Sequence, residues 1–207
     1  MIDLRGVELE HPLELALAFL RAYPGPATTP RPLRFDETDL RFANRGGARI
    51  SATQIAAILE RRRVIERALR EIDPDASLTA ATGKLPWAPL TRVFGAFADI
   101  PGVGFAKMTK ALHPKRPGLI PILDSVVQAY LDTQPDGSFA ERAIVLVRDY
   151  KRELDRNRRG LRELQRALAR EGYPLSEVRI LDLLIWSAVT AREAHVATAT
   201  RTRSSRT

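Results

Sequence analysis

Two groups of residues near the middle of the chain have the types and the spacing to carry chemistry. The first is an Ile-Pro-Gly-Val-Gly bend over residues 100–104, followed by several cations and by no acidic residue between positions 105 and 123. Those cations are Lys107, Lys110, Lys115 and Arg116. The second is the carboxylate of Asp124, which directly precedes Ser125 and two valines. An anion-binding pattern therefore lies close in sequence to a single carboxylate.

The glycine-rich bend predicts a phosphate-binding turn between two helices. Gly102 and Gly104 lack Cβ atoms, so the backbone can turn sharply and approach another chain closely. Val103, between them, can fill the gap between the helices. The amides at the start of the second helix have no intrahelical partner and can donate to a phosphate oxygen. The alternative is a tight helix–helix turn with solvated lysines and no ligand.

Helices are the elements that must position these residues. Ser51 with Gln54, and Ser138 with Glu141, form capping boxes that predict two helix starts. Apolar spacing extends the first of these helices to about residue 72, and Gly160 is expected to interrupt the second. The sequence has no strand-like alternation of useful length, so we predict an all-α protein.

Proline-rich segments interrupt the predicted helices and divide the chain. Prolines restrict residues 24–35 to an extended connector and residues 85–89 to a loop. We predict that residues 1–194 form one all-helical unit, of one lobe or two, with the pair of helices around the bend at residues 91–113. Residues 195–207 are rich in Ala, Thr, Ser and Arg without periodicity, and we expect a flexible basic tail.

The charge of the chain points to a polyanionic partner. The net charge is +8, and residues 1–40 are acidic, which leaves +11 on the remainder. Such a basic portion favours nucleic acid as a partner. Because 28 of the 33 cations are arginine, a GC-rich genome is an alternative source of the same bias.

Composition also excludes several kinds of site. The chain has no cysteine, which rules out disulfides, zinc–thiolate centres and iron–sulfur clusters. Asp3, Glu8 and Glu10 precede the apolar stretch at residues 13–20, which is too short to span a bilayer, and they argue against a secretory signal. We therefore expect a cytoplasmic, nucleoid-associated protein with no membrane contact and no cofactor.

The bend and the carboxylate together resemble the helix-hairpin-helix DNA glycosylase superfamily. The hairpin of that superfamily reads Leu-Pro-Gly-Val-Gly and is followed by Val-Asp-Thr-His; the matching pieces here are Ile100–Gly104 and Leu123–Val126. The run Lys115–Val127 also resembles an uncharacterised bacterial family of unknown function. These motifs cover only residues 94–131. The resemblance implies an all-α, helix-hairpin-helix DNA-glycosylase-like helical bundle.

The resemblance also implies how duplex DNA would be bound and cleaved. In the glycosylases the hairpin backbone holds the damaged strand, often with a monovalent cation, which would lie here at the backbone of Ile100–Gly104. Asp124 corresponds to the aspartate that supports N-glycosidic cleavage, by stabilising positive charge on the sugar and by orienting or deprotonating water. The same aspartate is a good helix N-cap, so cap alone and cap plus catalyst stay open. The implied DNA-binding residues are Gly102, Val103, Gly104, Lys107, Lys110, Lys115 and Arg116.

Departures from the family pattern narrow the expected activity. Bifunctional members carry a Schiff-base lysine two residues after the second hairpin glycine, and Ala106 occupies that position, with Lys107 directly beside it. Met108 replaces the small residue usual in the second helix, and Val126 replaces the histidine of Val-Asp-Thr-His. A glycosylase of this kind would be monofunctional, without lyase activity.

Three functions follow as hypotheses from the sequence. The first is a base-excision enzyme that uses Asp124, the second a non-catalytic DNA-binding module, and the third a helical protein-interaction domain.

An enzyme that flips a nucleotide needs an apolar or aromatic pocket. Candidates for its lining are Tyr130, Trp87 and the loop Asn44–Arg49, while His113 is expected to contact phosphate or solvent.

A second basic segment lies at residues 151–166. Its cations alternate with acidic residues, which favours a salt-bridged, solvated face, and the alternative is another contact with a DNA backbone. The cations are Lys151, Arg152, Arg156, Arg158, Arg159, Arg162 and Arg166, and the acids are Glu153, Asp155 and Glu163.

Overall fold

The computed structural model describes residues 1–23 and 31–204, with side chains described through residue 190, and within these ranges the fold is all-helical. The one β-type pairing among the described residues is an isolated bridge between Asp3 and Glu8. The prediction of an all-α protein is confirmed. The helices are α1 Pro12–Ala22, α2 Glu37–Arg45, α3 Ala52–Glu60, α4 Arg62–Arg70, α5 Trp87–Gly95, α6 Phe105–Leu112, α7 Ser125–Leu131, α8 Phe139–Arg156, α9 Arg158–Arg170 and α10 Glu177–Ser204.

The predicted capping boxes start helices where expected. The Ser51 hydroxyl accepts from the amide of Gln54 at the start of α3, and Ser138 makes the equivalent bond with Glu141 at the start of α8. A third box starts α2, where Asp36 and Asp39 bond reciprocally. The usual capping-box signature has Glu or Gln three residues after the N-cap, so sequence analysis did not identify the pair of Asp36 and Asp39.

Helix boundaries differ from the sequence prediction at three places. The single helix expected up to residue 72 is two helices, α3 and α4, divided at Arg61. The division between α8 and α9 falls at Asn157 rather than at Gly160, which lies inside α9. A Cβ at position 160 would come within 2.3 Å of the Met1 carbonyl oxygen, so this close contact explains the glycine. α5 begins at Trp87 because Pro89 lies in its first turn, where amides have no helical acceptor.

One cluster of buried apolar side chains extends from Ile2 to Ile185 and joins the helices. Within it α5 packs against α4 and α8, α6 packs against α2, and α7 packs against α10. The bend between α5 and α6 and the start of α7 are therefore each held by neighbouring helices. This packing fixes the positions of the predicted site residues relative to one another.

Two predicted segments fall partly outside the described residues. Most of the connector expected at residues 24–35 lies in the range 24–30, which is not described. α10 continues to Ser204 and so overlaps the predicted tail, whose flexibility stays a prediction. Across the described ranges, every helix is too short or too polar to cross a membrane.

Candidate functional site

The bend between α5 and α6 lies at the protein surface. Gly102 and Gly104 are exposed, whereas Ile100 and Val103 are buried and anchor the turn in the core. Gly102 has a φ of +72°, and a Cβ there would lie 2.6 Å from the side-chain nitrogen of Gln54, so the turn requires glycine at this position. Gly104 has a φ of −94° and open space around its Cα.

The backbone amides that follow the bend are available to a ligand. Val103 donates to the carbonyl of Ile100 at 3.0 Å, and the first amide with a helical acceptor in α6 is that of Met108. Gly104 is the N-cap of α6 and provides no side chain to the first turn. Within the described part of the chain, the amides of residues 104–107 have no hydrogen-bond acceptor. They form the partly positive end of a helix dipole.

Helix α3 braces the bend from one side. The side-chain nitrogen of Gln54 donates to the carbonyl of Pro101 at 2.9 Å, and Nζ of Lys107 donates to Oε1 of Gln54 at 2.8 Å. Arg61, at the end of α3, donates to the carbonyls of Ala96 and Ala98 just after α5. The bend is therefore held in one geometry, and Lys107 points toward α3.

Two carbonyls of the bend, where the resemblance implies a monovalent cation, accept hydrogen bonds within the chain. The carbonyl of Ile100 accepts from the Val103 amide, and the carbonyl of Pro101 accepts from Gln54. Each of these oxygens keeps a second lone pair, so the cation stays a prediction.

A pocket of about 570 Å³ opens beside the bend, and its wall includes Gly104, Phe105 and Ala106 from the start of α6. Asp124 lies in the same wall, so the structure brings together the two groups that the sequence singled out. Ala106, at the position of the Schiff-base lysine in bifunctional relatives, faces this pocket, and Lys107 is not part of its lining.

Asp124 caps α7 with one of its two carboxylate oxygens. Oδ1 accepts from the amides of Val126 and Val127, each at 3.1 Å. Among the described residues, Oδ2 has no hydrogen-bond donor. The predicted N-cap is therefore confirmed, and the second oxygen stays available at the pocket wall.

A second carboxyl group lies close enough to Asp124 for their charges to interact. Asp182 on α10 is buried, and burial together with the negative charge of Asp124 raises its pKa to about 7. The guanidinium of Arg179, 2.7 Å away, opposes this shift without cancelling it. Asp182 is therefore partly protonated near neutral pH, which limits the negative charge around Asp124.

Three cations line the same pocket. They are Arg49, Lys110 and Arg142, and none has a carboxylate within 4 Å among the described residues. The Arg142 guanidinium lies 5.7 Å from the ring centre of Phe105, and its buried Nε has no acceptor in the described structure. The pocket wall therefore carries more positive than negative charge.

Arg49 is held in an unfavourable backbone conformation. Its φ is +55°, in the left-handed region, which costs a residue other than glycine on the order of 1 kcal/mol. Asn44 maintains this conformation by donating to the Ile50 carbonyl at 2.9 Å and accepting from the Ile50 amide at 2.6 Å. The loop that sequence analysis proposed for the pocket lining thus contributes Arg49 and Gly47.

Aromatic side chains form the apolar part of the pocket. Phe105 and Phe139 lie with their ring centres 4.8 Å apart, and Trp186 contributes from α10. Sequence analysis did not identify these three residues, nor Arg142. They come from helices far apart in sequence, and only Phe105 carried a local signal, its position directly after Gly104.

Two predicted DNA-binding residues are buried, and that prediction is wrong. Lys115 is 2% exposed and pairs with Asp39 at 2.6 Å. Arg116 is fully buried, and its guanidinium donates to the carbonyls of Leu69 and Ile72 near the end of α4. Such buried groups cannot reach a phosphate, and both side chains instead satisfy backbone and carboxylate oxygens inside the protein.

The two aromatic residues proposed for the pocket lie elsewhere. The Tyr130 hydroxyl donates to Glu153 at 2.9 Å, and the Trp87 ring nitrogen donates to the Thr82 carbonyl at 3.0 Å. Neither lines the pocket. His113 is half-buried, its Nδ1 lies 2.7 Å from the Ile120 carbonyl, and burial lowers its pKa to about 4, so it is neutral near pH 7. Its contact with phosphate or solvent stays a prediction.

The basic segment at residues 151–166 is a salt-bridged face, as predicted. Five of its cations have a carboxylate within 4 Å, three of them one helical turn away on α8. The pairs are Lys151–Asp155, Arg152–Asp149, Arg156–Glu153, Arg159–Glu163 and Arg162–Glu177.

Comparison with protein families gives one match, and it covers the whole pocket. The model of a family of unknown function, DUF6308, matches residues 19–189. The chain belongs to DUF6308. No curated protein and no solved structure matches it. The DUF6308 match includes the bend, Asp124 and every residue that lines the pocket.

Proposed function

We propose that this chain binds duplex DNA at the bend between α5 and α6 and hydrolyses an N-glycosidic bond of a nucleotide extruded into the adjoining pocket. It would act as a monofunctional DNA glycosylase. The observation that carries the proposal is that one pocket is lined both by the first residues of α6, whose amides are free, and by Asp124, whose Oδ2 has no donor among the described residues.

The surface around the bend has the chemistry that a DNA backbone requires. Exposed amides at a helix N-terminus donate to phosphate oxygens without any side chain. Lys110, Arg49 and Arg142 add positive charge beside those amides. The absence of a Cβ at Gly104 lets a sugar–phosphate backbone approach closely.

The pocket has the size and lining for a flipped base. Its volume of about 570 Å³ lies within the usual range for small-molecule sites. A base extruded from the duplex loses stacking energy, and stacking on aromatic rings can replace part of it. Phe105, Phe139 and Trp186 are available for that contact.

Asp124 would promote cleavage of the glycosidic bond. As the bond between C1′ and the base nitrogen breaks, its electron pair leaves with the base, and positive charge develops on the sugar. The free Oδ2 of Asp124 would stabilise that charge and take a proton from the water that adds to C1′. Because Ala106 cannot form a Schiff base, the product would be an intact strand with an abasic site.

The second candidate is a DNA-binding module without catalysis. It is favoured by the N-cap bonds of Asp124, since these alone explain an aspartate at this position. The two candidates share the binding surface and differ only in the role of Oδ2.

Substitution of Gly104 tests the binding surface that both candidates need. Gly104 has extended backbone and free space around it, so aspartate fits there as an N-cap and should change the free energy of unfolding by only a few tenths of a kcal/mol, toward stability. Its carboxylate would occupy the amides and repel phosphate, and we expect at least a tenfold loss of affinity for duplex DNA.

Fluorescence anisotropy with a labelled duplex over a range of salt concentrations measures this effect. Gly104→Ala is the matched control, because it adds a Cβ without charge and should lose less affinity than Gly104→Asp. Unchanged affinity in a folded Gly104→Asp protein would remove the binding surface and both candidates with it.

A further inference from the structure

We propose that the exposed face of α4 is a second contact with the DNA backbone, beside the duplex segment held at the bend. This inference rests on the proposed function and names a further surface for the same partner. The α4 arginine face consists of Arg62, Arg63, Arg67 and Arg70, all of which are exposed.

The charges of this face are only partly balanced within the protein. Glu66 pairs with Arg62 at 3.0 Å and with Arg70 at 3.9 Å, and it also accepts from the Phe35 amide. Among the described residues, Arg63 and Arg67 have no carboxylate within 4 Å. These two free cations are one helical turn apart, and like charges at that spacing destabilise a helix by a few tenths of a kcal/mol.

The shape of the face suits a charged strand better than an apolar partner. The arginines border a depression of about 540 Å³ whose wall is mostly polar, with Leu59 as its one apolar member in the described structure. Glu60 and Glu66 also belong to this wall, so its four arginines exceed its carboxylates by two. An anion laid along the depression would contact Arg63 and Arg67 and relieve their mutual repulsion. A DNA phosphate has the required charge and spacing along a strand.

Helix α4 lies next to the helices that form and brace the bend. α4 packs against α5, and Arg61, just before α4, donates to the carbonyls of Ala96 and Ala98 at the entrance to the bend. Gln54, which contacts Pro101 in the bend, precedes Arg63 by nine positions. Helical rise over that interval is at most about 14 Å, or roughly four base pairs of duplex.

The double substitution Arg63→Gln and Arg67→Gln tests the contact. Both side chains are exposed and unpaired, so the protein should fold normally, which a melting curve checks. Each phosphate contact contributes about 0.9 to the slope of log affinity against log salt, so the slope should fall by about 1.8 and the affinity by roughly 30-fold at about 0.15 M salt.

The matched control is Arg166→Gln with Arg170→Gln on α9. These residues are also exposed and one turn apart, but α9 packs on α1, α8 and α10 rather than beside the bend. The control removes the same net charge, so it measures the general effect of charge on DNA affinity. We expect it to change the salt slope much less than the α4 variant.

The outcomes separate this inference from the proposed function. If Gly104→Asp weakens binding and the α4 variant behaves like the α9 control, the α4 contact is refuted while the proposed function stands. If the α4 variant loses affinity and Gly104→Asp does not, α4 binds DNA and the bend does not. If the wild-type chain has no salt-sensitive affinity for duplex DNA, both proposals are overturned.

Discussion

Replacing Asp124 separates the helix cap from the proposed catalyst. Oδ1 accepts from two amides of α7, while Oδ2 has no donor among the described residues, and Asp124 lies at the pocket wall. Asparagine keeps an oxygen for the cap and replaces the free, charged oxygen with an amide nitrogen. Alanine removes both functions. Asp124→Asn therefore removes the charge and keeps the cap, whereas Asp124→Ala removes both the charge and the cap.

The expected magnitudes differ clearly between stability and catalysis. Asn and Asp are about equally good N-caps, so Asp124→Asn should change the free energy of unfolding by only a few tenths of a kcal/mol, whereas Asp124→Ala should cost about 1 kcal/mol. Loss of one preorganised electrostatic group slows an enzyme by roughly 100-fold or more. Both variants should therefore lose excision to a similar degree while differing in stability.

Single-turnover excision measures the catalytic effect. Duplexes with a panel of damaged or mismatched bases are incubated with excess protein, and abasic products are revealed by alkaline cleavage. DNA affinity, measured in parallel, should be retained in Asp124→Asn or rise slightly, because a negative charge near the DNA is removed. Urea unfolding of the same preparations provides the stability comparison.

One result would refute the catalytic role of Asp124. If wild-type protein excises a base and Asp124→Asn does so at the same rate, the carboxylate charge has no part in the reaction. If wild-type protein binds DNA and excises none of the panel, the non-catalytic module becomes the better description. Activity that falls only in Asp124→Ala, in step with its stability, would identify a cap alone.

Two further predictions concern buried charge. Arg116→Met should lower the free energy of unfolding by on the order of 3–5 kcal/mol, because it leaves buried carbonyls at the end of α4 without donors. The DNA affinity of the folded protein should stay unchanged. Urea unfolding measures the first effect and fluorescence anisotropy the second. Asp182→Asn should make the melting temperature rise more steeply between pH 5 and 7 than in the wild type, in melting curves at matched ionic strength.

The expected direction of the Asp182→Asn effect follows from two opposed pKa shifts. The pKa of Asp182 is raised to about 7, so the folded state binds the extra proton and stability falls as the pH rises from about 4 to 7. The pKa of His113 is lowered to about 4, so the unfolded state binds the extra proton and stability rises up to about pH 6.5. Removing Asp182 leaves the rising contribution alone, and an unaltered pH profile would contradict the assignment.

The parts of this fold that sequence analysis predicted are those determined by local chemistry. The helix starts at Ser51 and Ser138 depend on a hydroxyl and a partner three residues later, and the cap at Asp124 depends on the amides of the next residues. Such bonds are the same in any fold, so their residues can be recognised without knowledge of the tertiary structure.

The failed predictions depend on contacts between distant parts of the chain. Arg116 looked like a surface cation in a basic run, yet it reaches carbonyls of Leu69 and Ile72, more than forty positions away. Arg142 and Trp186 join the pocket through the packing of α8 and α10, which no local pattern encodes. The bend could be predicted because the two glycines that allow it are part of the bend itself. Most of the pocket could not be predicted, because its residues come from helices far apart in sequence.

The distribution of ion pairs bears on why this chain is so rich in arginine. If a GC-rich genome were the only cause, unpaired arginines would be expected wherever the surface tolerates them. Unpaired arginines do occur on several surfaces. Within the described part of the chain, Arg158, Arg166 and Arg170 on α9 have no carboxylate within 4 Å, and the same holds for Arg63 and Arg67 on α4 and for Arg49 and Arg142 in the pocket. Unpaired charge alone therefore does not indicate a ligand. The pocket differs because Arg49 is held there at an unfavourable φ, at a cost in stability, beside Lys110 and Arg142, which favours an anionic ligand such as the DNA backbone of the proposed function.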